Sequence, residues 1–355
     1  MRVVKTISTP WAPYSVMFSH DGSRIAIGGG TWYGDGGIIL VNLSAGEMEL
    51  FACSDLPRTP EQWNPTVSGT CFSEDDQFLA VSTRSARLQY SPSFLFDVSG
   101  LHVVHRDTFI QRYEGNFGSP CSTGVLLYDG YLITRNNATN LAEVIAVWKL
   151  PERQGVEWNK ATQHLTHSQV AVVRETVITG GGGSLKAADG LVLASLGRNG
   201  NRASTARVES CRRITAIVAT PSGDGFITGG LDGELDYWTW AAGWNQERLQ
   251  EATEEKAIIE SPGLAWATYT PNSIVGICYL SDANRWVSVD ASGELGIWAG
   301  GVRQGSWQIP VSGSPRSLAA HPIDDRVAIG VKQGGFTHPR SVVVITDLGL
   351  QTEGR

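Results

Sequence analysis

A chain of 355 residues, 41% of them hydrophobic, is long enough to bury a sizeable core, and 41 glycines with only 18% charged residues fit a turn-dense β protein rather than a disordered one. The formal net charge of −7 argues against nucleic acid as the principal partner, because phosphate binding draws on basic surface. Arg2 is followed by no signal-like apolar stretch and no run approaches the ~18 residues of a membrane span, so a cytoplasmic protein without membrane insertion is expected.

In chain order, residues 3–7 come first, a short strand ahead of any repeating pattern. Next comes a marker turn, Phe-Ser-His-Asp-Gly at 18–22, leading into an apolar run from Arg24. Related turns recur at 72–76, 127–130, 170–175, 219–225, 280–284 and 320–325, about 42 to 58 residues apart. That spacing matches a four-stranded unit of ~40–45 residues with some loop insertions. Third strands are predicted at 38–43, 94–98, 144–150, 184–189 and 342–347, with two more that end in Trp238 and Trp298. These last two carry the clearest internal echo: Gly-Gly-Leu-Asp-Gly-Glu-Leu-Asp-Tyr-Trp at 229–238 and Val-Asp-Ala-Ser-Gly-Glu-Leu-Gly-Ile-Trp at 289–298. Each predicts two antiparallel strands around a tight Asp/Gly or Ser/Gly turn. One hairpin cannot bury its own faces, so several must stack.

The last unit ends near Asp347 one strand short, while residues 3–7 are one strand in excess. Placing them together closes a ring and hides two strand edges. The expectation is therefore an all-β, seven-bladed β-propeller of four-stranded antiparallel blades, a single domain over 1–355 with blade seven completed by residues 3–7. Residues 243–272 form an insertion between blades five and six. Within it, residues 244–259 fit a strand or a short amphipathic helix, and period does not choose.

On these repeats the chain resembles the WD-repeat (WD40-like) β-propeller family over nearly its whole length, in degenerate form. No Trp-Asp dipeptide occurs and the family's Gly-His pair is missing. The resemblance implies that Trp148 with Thr134, Trp238 with Thr228, and Trp298 with Ser288 are the Trp and hydroxyl members of the family's structural hydrogen-bond network. It also implies protein partners, commonly held on the rim shared by inter-blade segments and second-to-third-strand loops.

Catalytic signatures are lacking. There is no Gly-x-Ser-x-Gly elbow, no His-Glu-x-x-His helix and no phosphate-cradling Gly-rich loop, and the glycines at 180–183 sit at a strand end. The five cysteines are odd in number and have no zinc-ligand spacing. His102 and His105, three apart in a strand, are expected on opposite faces, which spoils them as a metal pair. His164 or His167 fits as a substitute for the family's structural His, and His20 and His321 are expected in equivalent turns. No metal or cofactor is expected.

The rim loops carry the functional signal. Long segments at 29–37, 83–92, 135–140 and 332–340 contrast with minimal turns at Asp232-Gly233 and Ser292-Gly293. The long segments supply Trp32, Tyr33, Arg84, Arg87, Tyr90, Arg135, Phe336 and Arg340, rich in the residue types that anchor interfaces. Positive charge here on an acidic chain points to a protein or peptide partner with an acidic surface. The expected function is a non-enzymatic interaction scaffold or sensor; the alternative is an enzyme or small-molecule binder at the central channel mouth.

Overall fold

The computed structural model describes residues 1–31, 36–52, 66–84, 93–99, 102–107, 121–128, 131–137, 142–149, 154–157, 162–163, 170–173, 176–181, 190–195, 205–209, 214–240, 249–252, 262–282, 284–334 and 340–350. Every element among them is a β-strand. The chain divides into two compact units, Met1–Val67 with Val275–Arg355, and Ser68–Ile274.

The first unit holds three four-stranded antiparallel sheets. The first sheet runs in chain order through Ala12–Phe18, Arg24–Gly30, Gly36–Asn42 and Met48–Ala52. The penultimate sheet does the same through Ile274–Tyr279, Arg285–Asp290, Glu294–Ala299 and Val302–Gln308. The last sheet takes Ser314–Ala320, Arg326–Gln333 and Arg340–Asp347, and its fourth strand is Arg2–Thr9 from the other end of the chain. Thr6 faces Val344 and Thr9 faces Ser341 across that pairing, with one bulge between Val3 and Lys5.

Burial explains the sequence pattern. A second strand such as Arg24–Gly30 is covered on both faces and reads as a continuous apolar run, whereas the outermost strand Met48–Ala52 is largely exposed. Ile7, Phe18, Ile25 and Ile27 pack with Ala328, Val343 and Ile345 to join the first and last sheets. On the other side of the last sheet, Val327, Ile329 and Val331 pack with Val287, Leu295 and Ile297 of the penultimate one. Each fully buried side chain of this kind contributes about 1.5–3 kcal/mol.

The second unit contains a four-stranded sheet of Ile214–Ala219, Gly225–Gly230, Glu234–Thr239 and Gly263–Tyr269. Beside it in sequence, Val170–Val173, Thr176–Gly181, Gly190–Ser195 and Thr205–Glu209 form a sheet with Leu249–Ala252 as a fifth strand. Two further four-stranded meanders join through one pair, Arg84 with Cys121, into a sheet whose ninth strand is the short Thr162–Gln163, paired with Ala142–Lys149. They comprise Thr66–Phe72, Phe78–Arg84, Ser93–Asp97 and His102–Asp107, then Cys121–Tyr128, Tyr131–Asn137, Ala142–Lys149 and Gln154–Glu157.

Four sequence expectations need correction. The third strand of the fourth repeat is Gly190–Ser195 and not 184–189: Leu191 and Leu193 are fully buried there, a place Lys186 or Asp189 could not take without an uncompensated charge. The stretch 243–272 is not a plain insertion, since Leu249–Ala252 pairs with Thr205–Glu209 and Gly263–Tyr269 completes the next sheet. A bulge in the pairing of Ser93–Asp97 with His102–Asp107 sets His102 opposite Asp97 and His105 opposite Leu95, so the simple alternation assumed for the two histidines is interrupted.

The fourth correction shortens the rim loops. Gly29, Gly30, Gly36 and Gly37 lie in paired strands, as do Arg84, Arg135 to Asn137, Lys332, Gln333 and Arg340. The glycines serve close packing: a Cβ would stand 2.5 Å from Thr66 Oγ1 at Gly30 and 2.7 Å from Trp11 Cη2 at Gly37.

Candidate partner-binding rim

The turns that mark each unit are stitched by side chains. Ser19 donates to Asp21 Oδ1 at 2.6 Å, Ser73 to Asp75 Oδ1 at 2.6 Å, and Thr220 to Asp224 Oδ1 at 2.8 Å. The same hydroxyls accept the backbone N–H that opens the next strand, at Arg24, Phe78 and Gly225. Donation from Ser19, and then from the Ser23 N–H, holds the Asp21 carboxyl below its ordinary range, and Ser73 does the same for Asp75. These carboxylates are therefore held by structure, with their lone pairs already engaged.

The Trp–hydroxyl pairs implied by the family resemblance are present where side chains are described. Trp238 Nε1 donates to Thr228 Oγ1 at 3.0 Å and Trp298 Nε1 to Ser288 Oγ at 2.9 Å. Each indole stacks on its cross-strand partner, Phe226 or Trp286, with rings 11° and 7° from parallel. In the third case only the register is described. It repeats the other two, with Leu132 facing Trp148 and Thr134 two residues further on. His164 and His167 lie outside the described residues.

Of the candidate interface residues, Trp32, Tyr33, Arg87, Tyr90 and Phe336 lie outside the described residues. The backbone of the other three is described. Arg84 ends strand Phe78–Arg84, Arg135 sits in Tyr131–Asn137 opposite Gly124 and Ile145, and Arg340 begins Arg340–Asp347 opposite Gln333. Arg340 belongs to the first unit, Arg84 and Arg135 to the second.

One residue of this kind was missed in the sequence. Arg316, on the first strand of the last sheet, is exposed, as is Ser314 two residues before it. Ser314 faces Lys332 across the pair of strands, and the charge of Arg316 acts on the Lys332 ammonium. Burial first, and Arg316 second, hold the Lys332 ammonium below its ordinary range. The signal for Arg316 was faint because it sits at a bulge inside a predicted strand rather than in a long loop.

No group of three or more His, Cys, Asp or Glu side chains among the described residues could hold a metal ion. Cys71 and Cys278 are buried free thiols, and burial pushes the Cys278 thiol far above its ordinary value, which makes it inert as a nucleophile. Among the described residues no helix is long and apolar enough to cross a membrane.

No protein-family model matches the chain, and no curated protein matches it. Solved structures do. The structure of U3-55K is similar with a TM-score of 0.67 at 14% identity, over 97% of this chain and 99% of that one. The β-propeller domain of Cps50 (Swd1) from Myceliophteria thermophila gives 0.66 at 13%, over 97% and 98%. The WD40 repeats of RRP9 give 0.67 at 14%, again over 97% and 98%. With the Trp–hydroxyl pairs and the four-stranded antiparallel sheets, these likenesses establish the fold: the chain is a WD40-like β-propeller.

Proposed function

We propose that this chain is a non-enzymatic interaction scaffold, a seven-bladed ring closed by Arg2–Thr9 in the last blade, that holds an acidic protein or peptide on one rim. The observation that carries the reading is the Arg316 and Lys332 pair, two cations on neighbouring strands of the last sheet whose charges act on each other, in a chain with a net charge of −7. Like charges held near one another favour an incoming carboxylate, which complements both. Arg340 enters the last sheet beside Gln333, one residue on from Lys332, which adds a third cationic position to the same edge.

On this reading Trp32, Tyr33, Arg84, Arg87, Tyr90, Arg135 and Phe336 supply the remaining contacts, aromatic anchors among cations. Nucleic acid is not the principal ligand, and the protein works in the cytoplasm. The propeller fold supports protein binding in general without naming the partner.

The test starts from a complex recovered by affinity capture from the native organism. Ala at Trp32, Arg84 and Phe336 together is expected to weaken binding, each true anchor by about 2 kcal/mol or more, with the thermal midpoint unchanged. Unchanged affinity in the triple variant sinks the reading. So does recovery of monomer alone together with turnover of a small molecule.

A further inference from the structure

We propose that Trp11, Ser341 and Lys332 form a notch between the last sheet and the first that takes a carboxylate side chain of the acidic partner. The inference deepens the acidic-partner reading and rests on it. Two side chains carry it. The indole Nε1 of Trp11 and the hydroxyl of Ser341 are buried polar atoms without a hydrogen-bond partner, in residues only 7% and 2% exposed. Buried polar groups are paired as a rule, because an unpaired one keeps the full cost of leaving water. Two of them in one place point to a group supplied from outside the chain.

Strand pairing brings them together. Thr9 lies opposite Ser341, and Lys332 lies opposite Ser341 on its other side, so the three side chains form a row on one face of the last sheet. That face is turned to the first sheet. Val343, two residues on from Ser341, packs with Ile25 and Ile27, and a Cβ at Gly330, two residues before Lys332, would stand 2.8 Å from Pro13 O. Trp11 meets the row from the other side: Thr9 Oγ1 donates to Trp11 O at 2.7 Å, and the indole belongs to the same cluster as Val343. The indole lies over Gly29 and Gly37, where a Cβ would stand 2.7 Å from Nε1 and 2.7 Å from Cη2 respectively.

The three groups suit one kind of guest. An indole N–H and an ammonium only donate, and a hydroxyl is able to, whereas an ionised carboxylate offers two acceptor oxygens and no donor. Hydrogen bonds to an ionised acceptor are also the stronger kind. Lys332, half-buried near the end of its strand, stands at the mouth of the notch, and Ser341 and Trp11 form its floor. Burial, with Arg316 second, holds the Lys332 ammonium below its ordinary range, which fits a cation drawn partly out of water.

Stability and binding then move in opposite directions at Ser341. Ser341→Ala removes a buried hydroxyl that bonds to nothing in the free chain, so the fold does not weaken, while the bound carboxylate loses one of its donors. A hydroxyl of structural value alone would show the reverse: a less stable fold and an unchanged affinity.

The test titrates the intact chain with a short oligo-glutamate peptide, with oligo-glutamine and inorganic phosphate as controls, and follows the indole protons by nuclear magnetic resonance. The Trp11 indole proton, assigned by its loss in Trp11→Phe, is expected to move downfield with oligo-glutamate and to stay in place with oligo-glutamine. Ser341→Ala should bind oligo-glutamate about tenfold more weakly, with a thermal midpoint at or above that of the wild type. If Ser341→Ala fails to fold, the indole shift of the wild type decides. A peptide that binds and is weakened by Arg316→Glu with Lys332→Glu, yet leaves the Trp11 proton in place and binds Ser341→Ala equally well, overturns the notch and leaves the acidic-partner reading standing. No binding of oligo-glutamate to the wild type counts against both. A lowered midpoint in Ser341→Ala with unchanged affinity assigns the two groups to a structural water and overturns the proposal. An indole shift with phosphate alone makes this a site for a free anion and overturns it too.

Discussion

At the residue scale the fold rests on short polar side chains, among them the hydroxyls that hold the buried indoles. Trp238 and Trp298 are 1% exposed, and each indole N–H has one acceptor in reach, Thr228 or Ser288. Removing that acceptor leaves a buried donor unpaired, at a cost of about 1–3 kcal/mol. Ser288→Ala is therefore expected to lower the thermal midpoint well beyond what an exposed Ser→Ala change does, and a midpoint within error of wild type would remove this role. The turn carboxylates predict a second behaviour. Asp21 and Asp75 have folded values depressed from the ordinary 3.8, so the stability they add is present above about pH 4 and lost as pH falls through their folded values. Both are near the surface, where screening keeps the effect small. Unfolding followed from pH 5 to pH 2 should show a shallower acid loss in a Ser19→Ala, Ser73→Ala double variant than in the wild type.

At the element scale, much of the architecture was legible in the sequence because each unit repeats one local instruction. The 226–238 hairpin could be read from its Asp-Gly turn and terminal Trp, and Phe226 does face Trp238. What escaped was information held by packing. Gly29, Gly30 and Gly37 look like loop residues, yet they are strand residues whose missing Cβ admits Trp11 and Thr66. Leu191 and Leu193 were passed over because the pattern count placed their strand six residues early. Leu249–Ala252 could not be assigned, since its partner Thr205–Glu209 lies across an intervening sheet in sequence.

The pairing of Arg2–Thr9 with Arg340–Asp347 gives the prediction at this scale. It joins positions more than 300 residues apart, with Ile7 buried at 3% and Thr346 Oγ1 donating to Arg2 O at 3.0 Å. Deleting residues 1–9 should expose the edge of Arg340–Asp347 and lower the thermal midpoint markedly, with a gain in self-association. A truncated chain that melts as the full one does would show that the pairing contributes nothing.

At the scale of the whole molecule, the proposed rim rests on a contrast in the sequence between long aromatic segments and minimal turns. Arg84, Arg135 and Arg340 prove to be strand residues rather than loop residues. Arg316 enters the proposal only through its effect on Lys332, which the sequence does not show. A surface of this composition should bind through charge as well as apolar contact, so affinity should fall as ionic strength rises. The most direct test of the scaffold reading is the dissociation constant of the native complex for the wild type and for an Arg316→Glu, Lys332→Glu double variant, measured across salt concentrations. The account predicts at least about tenfold weaker binding in the variant, or about 1.4 kcal/mol, with a reduced salt dependence and an unchanged thermal midpoint. Equal affinity and equal salt dependence in the two proteins would contradict it.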